Sequence, residues 1–468
     1  MFTNFCSKPL CIYFSKSLCD REKVLNIYYS KIVNSETRVG RVMQIDWSSL
    51  WKKEDWWAVW LGFLILALAS TRAITWLPQI GKWTLNPNIA FKAGDIPYFV
   101  LLGLCLLILT SLAMLAMKEK IKSYWSGFPL IFLLAFLSLF LSNQKTINEW
   151  GLEYVLWALI LGLIIGNTVG TPKWLKPAVK TELFIKIGLV LLGAEILFHI
   201  ILAAGLFGMT QAIIVVLLVW YFSYFLAIKA GLSKSFASIL SAGVSICGVS
   251  AAIAAGGAVK GDPKEVSYTI SLILLIAMPM LILMPIIARS IGMPDAVAGA
   301  WVGGTIDTTP AVVAAGALYS EKAMYVASIV KMSQNVLIGV AAFILALYWI
   351  LKVERNSEQK PSPIEIWYRF PKFVVGFIIA SVIFSLLLVP TMGETSVNAI
   401  LNITKGLRGW FFAMAFVCIG LDTKFTELVK IGKGKPLIVF LAAQIFNIIL
   451  TFVLAWVLFG GVLFRPPV

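Results

Sequence analysis

The sequence predicts an all-α, polytopic membrane bundle, and three observations predict it. Of 468 residues, 60% are hydrophobic and only 13% are charged, with a mean hydropathy of +0.89. Typical soluble domains are about 45–50% apolar and about 25% charged, and no single soluble core absorbs such an excess. From Trp56 onward, apolar runs of membrane-spanning length alternate with short basic connectors. Strand-like alternation is absent, which excludes a membrane barrel. A soluble enzyme, a nucleic-acid-binding domain and a disordered scaffold are excluded on the same composition.

Residues 1–50 are polar and basic and lack the apolar core of a secretory signal. They read as an N-terminal extension, disordered or translated from an over-called start, since Met43 opens a more natural beginning. The transmembrane domain is taken as 51–468. About 12–13 apolar segments follow, at 56–79, 96–117, 127–143, 150–170, 182–204, 210–229, 235–257, 266–289, 294–318, 323–351, 371–390, 407–422 and 436–460. Trp51, Trp56, Trp57, Trp76, Trp150, Trp174 and Trp410 sit near segment ends, where aromatic rings favour the headgroup level. The formal net charge of +16 is concentrated in connectors such as Lys118/Lys120/Lys122 and Lys173/Lys176/Lys180. Loops at 80–95, 144–149 and 205–209 carry few cations. By the positive-inside rule the N-terminus is cytoplasmic, and thirteen crossings place the C-terminus outside, with the same parity if 235–257 and 294–318 re-enter instead of spanning. Six cysteines without CxxC or metal spacing imply no disulfide framework.

Two segments depart from Leu/Ile/Phe-rich helices. Ser241–Gly257 and Gly299–Gly316 are full of Gly, Ser, Thr and Ala where mid-membrane helix is expected. Gly256, Gly257 and Gly316 read as close helix packing. The centres read as interrupted helices. In Thr305-Ile-Asp307-Thr308-Thr309-Pro310, a cap from Asp307, Thr308 or Thr309 and Pro310 in the first turn suit a helix start, with Gly303 and Gly304 free to unwind ahead of it. Ser245-Ile-Cys247-Gly248-Val-Ser250 reads alike. Non-helical backbone at this depth is tolerated where it is buried or lines a wet cavity, and half-helix N-termini offer N–H donors to an anion. Ser245, Cys247, Gly248, Ser250, Gly304, Thr305, Thr308 and Thr309 are therefore the candidate substrate contacts.

Ionisable residues inside apolar spans are costly unless paired or hydrated. Glu182 and Lys186, four apart, read as a pair. Glu195 and His199 share that spacing and read either as a pair or as a proton relay. Lys331, followed by Gln334 and Asn335, is a candidate partner for Asp307 or a substrate contact. Asp422 reads as a helix-end charge beside Lys424. Gly193-x-Glu195 and Gly420-x-Asp422 both close apolar runs, an echo suggestive of inverted repeats.

These motifs resemble the YeiH family of bacterial membrane proteins (UPF0324), whose members carry a sulfate-exporter label. The resemblance rests on 186–193, 241–251 with its Ser-Ile-Cys-Gly-Val-Ser-Ala string, 304–316, Ser328-Ile-Val-Lys331 and 411–420. It implies an inner-membrane transporter of ten or more helices. The chain departs from the family where Asp307-Thr-Thr-Pro310-Ala stands in place of a common His-acid-x-x-Gln pattern.

The expectation is a secondary transporter of a small anion, sulfate- or sulfonate-like, working by alternating access in the bacterial inner membrane. Lys331 would supply positive charge and Asp307 would carry a coupling proton or Na+. No catalytic residue, metal, cofactor or nucleic-acid partner is expected, and a homo-oligomer is left open. The rivals are a cation/proton antiporter built on Asp307, an anion channel and an intramembrane enzyme. The enzyme is disfavoured because HExxH and GxSxG are absent.

Overall fold

The structure, a computed structural model, describes residues 48–91, 94–149, 153–353, 367–368, 370–423 and 434–462. Most of the N-terminal extension, Lys424 and the connectors at 354–366 and 424–433 lie outside the described residues. The remainder is an all-α bundle, as its composition requires: with no water in the hydrocarbon, backbone polar groups must pair within a segment.

Fifteen helices of nine residues or more are present among the described residues. They are α1 (Glu54–Ser70), α2 (Ile96–Ala116), α3 (Ile121–Ser142), α4 (Tyr154–Thr168), α5 (Thr181–Glu195), α6 (Phe198–Lys229), α7 (Lys234–Ala242) and α8 (Val249–Ala258). There follow α9 (Pro263–Ser290), α10 (Asp295–Thr305), α11 (Thr309–Tyr319), α12 (Glu321–Tyr348), α13 (Lys372–Val382), α14 (Glu394–Asp422) and α15 (Lys435–Phe459). Eight helices are long and apolar enough to cross a membrane: α2, α3, α6, α9, α12, α14, α15, and α13 together with its continuation to Met392.

One expected boundary is wrong. The connector placed at 205–209 lies inside α6, a continuous helix of 32 residues and about 48 Å at 1.5 Å per residue. The chain breaks earlier, at Ile196 and Leu197, both extended. Gly205 and Gly208 suggest a turn, yet Gly208 lets α6 approach α12, where a Cβ would lie 3.2 Å from Val330 Cα. The segment expected at 407–422 likewise begins a dozen residues earlier, at Glu394.

The buried apolar side chains form two clusters. The larger joins α1–α5, α10, α11, α13 and α14 with the first half of α12, the start of α6, the second half of α9 and the end of α15, so that α6, α9, α12 and α15 all enter both clusters. The smaller joins α7, α8, part of α6, the first half of α9, the second half of α12 and the start of α15. Both interrupted segments lie at the seam between these clusters, and α12 runs through both. Small residues set the closest crossings. A Cβ on Gly162 would lie 2.4 Å from Val417 O, and one on Gly420 would lie 2.5 Å from Leu159 O, so α4 and α14 touch backbone to backbone. Gly193 faces Phe377 O at 2.2 Å in the same sense. The Gly-x-acid echo thus marks two tightly packed helix ends. Gly256 and Gly316 are packing positions as expected, with Val266 Cγ2 at 2.5 Å and Met324 Cα at 2.8 Å from an added Cβ.

Because Gly162 admits no side chain, Gly162→Ala should lower stability by about 1–3 kcal/mol, an overpacking cost. Gly409→Ala, with nothing within 4 Å of the added Cβ, should be neutral or stabilising. Thermal unfolding of the two detergent-purified variants checks this.

Candidate functional site

The two unusual segments are each broken at the middle, as their composition predicts, and each doubles back as a helical hairpin: Ser320, after α11, donates to Asp295 at the start of α10 at 2.7 Å, and a Cβ on Gly261, after α8, would lie 2.9 Å from Ser235 Oγ at the start of α7. In the first, α7 runs into a π-turn at Gly243–Cys247, and the chain then reverses through Gly248 at φ 64°, ψ −111° before α8 begins. That φ is the left-handed region, where an L side chain is strained. A Cβ there would also lie 2.7 Å from Ile273 Cγ2 and 3.1 Å from both Asp307 Cβ and Asp307 O. In the second, α10 ends at Thr305, Ile306 and Thr308 are extended, and α11 starts at Thr309 with Pro310 in its first turn. Gly248 and Asp307 are therefore in direct contact, and the two interruptions meet.

Breaking a helix frees carbonyls at one half and N–H groups at the other. Five of the freed carbonyls are met by side chains. Lys331 Nζ donates to Ile246 O at 2.9 Å and to Gln334 Oε1 at 2.8 Å. Gln334 Nε2 donates to Ser245 O at 2.9 Å and reaches Gly304 O at 3.5 Å. Asn447 Nδ2 lies 3.4 Å from both Val244 O and Thr305 O, and Gln444 Nε2 donates to Thr305 O at 3.0 Å. Gln334 and Asn447 thus each join a carbonyl of one interrupted helix to a carbonyl of the other. Lys331, Gln334, Gln444 and Asn447 are all at most 2% exposed, so these bonds form away from water, where an unmade one costs most.

The N-terminal halves are treated differently. Neither α8 nor α11 carries a side-chain cap, so the expected capping by Asp307, Thr308 or Thr309 does not occur. Cys247 is buried, with hydrogen bonds from the Ser250 hydroxyl and the Ala251 N–H. Ser250 is exposed and Thr308 and Thr309 are half-buried, whereas 241–248 and 301–307 are buried. The helix starts are thus the accessible side of the crossing, with one first-turn N–H of α8, that of Ala251, held by the Cys247 sulfur. A shallow apolar cleft lined by Trp220, Ile246, Ala251, Ala254, Ile338 and Ala342 among others lies against the first interruption. Electrostatically the arrangement is self-consistent: Lys331 faces the negative, carbonyl end of α7, and Asp307 stands at the positive, N–H ends of α8 and α11.

Several expected roles change. Lys331 and Asp307 form no ion pair within 4 Å; the Lys331 ammonium is turned toward a carbonyl and an amide instead. The Ser245 hydroxyl is spent on Ser241 O at 2.7 Å, and Thr305 Oγ1 on Trp301 O at 2.6 Å and on Thr451. Gly303 and Gly304 do not unwind; they lie inside α10, where added Cβ atoms would meet Ala327 O at 2.7 Å and Gln211 Nε2 at 2.2 Å. Glu195 pairs with Arg408, not His199, through bonds of 2.7 and 2.9 Å. Arg408 also reaches Glu321 at 3.2 Å, and Tyr325 bridges the two carboxylates. Lys186 holds Glu182 at 3.3 Å as expected, and Asp55 at 2.8 Å as well. Asp422 ends α14, and its expected neighbour Lys424 is not described.

Sequence reading placed α15 as an apolar span but missed its polar face. Gln444, Asn447 and Thr451 stand at i, i+3 and i+7, a polar stripe on one face of an otherwise apolar span. That spacing was readable and is the signal that would have found them.

Comparison with known proteins now bears on this arrangement. A family model described as "Conserved hypothetical protein 698" matches residues 126–440, a range that includes both interruptions and Lys331. A UPF0324 membrane protein of Rhodopirellula baltica is 45% identical over 82% of this chain and 72% of the relative. The chain belongs to the UPF0324 family of membrane proteins. Another UPF0324 membrane protein, from Nitrosomonas europaea, is 32% identical over 90% of this chain and 98% of its own length. For one from Nitratidesulfovibrio vulgaris, 44% identical over 75% of this chain, the match spans 62% of the relative. No solved structure matches. UPF0324 membership and eight apolar helices make this a multi-pass membrane protein.

Replacing Lys331 by Met should orphan Ile246 O and Gln334 Oε1, at about 1–3 kcal/mol per buried acceptor. The double variant Lys331→Met/Asp307→Asn should be more stable than Lys331→Met alone, since it also removes the charge that Lys331 offsets. Chemical or thermal unfolding in detergent measures both.

Proposed function

We propose that this UPF0324 protein is a secondary transporter of a small oxyanion, sulfate- or sulfonate-like, in the bacterial inner membrane with its N-terminus cytoplasmic. The observation that carries the proposal is the meeting of two uncapped half-helix starts on the accessible side of a buried crossing. Such ends carry about half a positive charge each and donors without intrahelical partners, which is the chemistry an oxyanion needs. Interrupted helices paired near the midplane are also the usual build of transporter sites.

In this mechanism the free N–H groups opening α8 and α11, with the hydroxyls of Thr308 and Thr309, hold the anion, beside Ser250, whose hydroxyl donates to Cys247. Lys331 and the amides of Gln334, Gln444 and Asn447 keep the carbonyl ends satisfied, so the unwound backbone survives without its helical bonds. Asp307, at the meeting of the two positive ends, offsets their charge when the anion is absent and links substrate movement to a coupling ion. The seam between the two apolar clusters supplies a surface along which one side moves against the other, opening the crossing alternately to each face.

Purified protein in proteoliposomes should take up radiolabelled sulfate or a sulfonate against a choline background. Gly248→Ala, which pushes a methyl into Asp307, should cut uptake at least tenfold. Asp307→Asn should leave the protein folded and abolish ion-coupled flux. Wild-type vesicles no faster than empty ones for every oxyanion tried would refute the proposal, as would coupled uptake unchanged by Asp307→Asn.

A further inference from the structure

Four of the side-chain atoms left over at the crossing can only accept. Asp307 Oδ2, Asn335 Oδ1, Gln444 Oε1 and Asn447 Oδ1 are all buried and without a hydrogen-bond partner, and their residues are at most 3% exposed. For Gln444 and Asn447 the amide orientation is fixed. Their nitrogens face carbonyl oxygens, which only accept, at Thr305 and Val244, so the amide oxygens must point elsewhere. Asn335 donates to Thr309 Oγ1 at 3.0 Å. All four residues therefore meet at the segment 305–309: two amides on the carbonyl of Thr305, one on the hydroxyl of Thr309, and Asp307 within the segment itself. Four unpaired acceptors in one buried place are expensive.

We propose that this cluster is a binding site for a dehydrated monovalent cation of sodium's size, formed by Asp307, Asn335, Gln444 and Asn447. It rests on the reading of the same crossing as a transport site and names its coupling ion. Hard oxygen ligands suit a hard cation. A single carboxylate among neutral amide oxygens balances one positive charge, and no cluster of three His, Cys, Asp or Glu residues exists among the described residues to favour a transition metal or a divalent ion. A proton would need only one of these oxygens, whereas a metal cation uses all of them. The cation would sit on the buried side of Asp307 and the oxyanion on its accessible side. Each would lower the cost of the other's charge, so the two would bind with positive coupling.

The test is thermal unfolding of the purified full chain, titrated with sodium gluconate against choline gluconate and potassium gluconate, and separately with choline sulfate. A ligand bound to the folded state raises the midpoint as its concentration rises. Sodium should raise the midpoint where choline does not. Asp307→Asn should lose that response while keeping the response to sulfate. Asn335→Ala, which gives up a single bond to a hydroxyl, should weaken the sodium response and supplies the reading if Asp307→Asn does not fold. Equal effects of sodium and choline, or a sodium response untouched in Asn335→Ala, would overturn the site. A sulfate response without a sodium response removes the cation site and leaves the anion reading standing; a sodium response with no response to any oxyanion removes the anion reading and leaves the cation site.

Discussion

Two side-chain amides hold the crossing together. Gln334 from α12 and Asn447 from α15 each reach a carbonyl of both interrupted helices. Without such donors the interruptions would not persist, because hydrocarbon offers a freed carbonyl nothing to bond with. Lys331 and Gln444 complete the set. Everything functional about the crossing follows from this asymmetry. The carbonyl ends are satisfied and buried, so the backbone is fixed where it is unwound. The N–H ends are uncapped and accessible, so they remain available to a ligand.

The packing serves the same end. Gly248 takes a left-handed conformation and leaves no room for a side chain, which brings the first interruption onto Asp307. Gly303 lets α10 lie against α12, and Gly304 admits the Gln211 amide, which donates to Ala300 O at 2.8 Å. Some distance away, Arg408 is held between Glu195 and Glu321, joining the ends of α5 and α12 to α14. A doubly bonded, charge-assisted pair of this kind fixes orientation as well as contributing energy.

Much of this was legible in the residues. Composition and run length forced a helical membrane bundle, and the Gly/Ser/Thr/Ala stretches marked both interruptions to within a few residues. Hydropathy misplaced the α5–α6 boundary because Gly205 and Gly208 look like turn residues, whereas both lie inside α6 and Gly208 packs against α12. It also could not foresee which group answers which charge. Glu195 finds Arg408, 213 positions away, and Lys331 turns to Ile246 O in place of Asp307. Such pairings are set by which helices become neighbours, and no local spacing encodes them. The polar stripe of α15 was visible at i, i+3 and i+7, but with no carboxylate or cation in it the stripe resembled ordinary interhelical glue.

The account turns on water reaching the opening turns of α8 and α11. Cysteines placed singly at Ser250 and Thr308, in a chain stripped of its other cysteines and reconstituted in bilayers, can be reacted with a charged, membrane-impermeant thiosulfonate. Both should label, and bound oxyanion should slow the reaction at each. Two thiols as inert as one placed at lipid-facing Leu217 would mean that these turns are sealed in protein or lipid, and the binding role assigned to them would be contradicted.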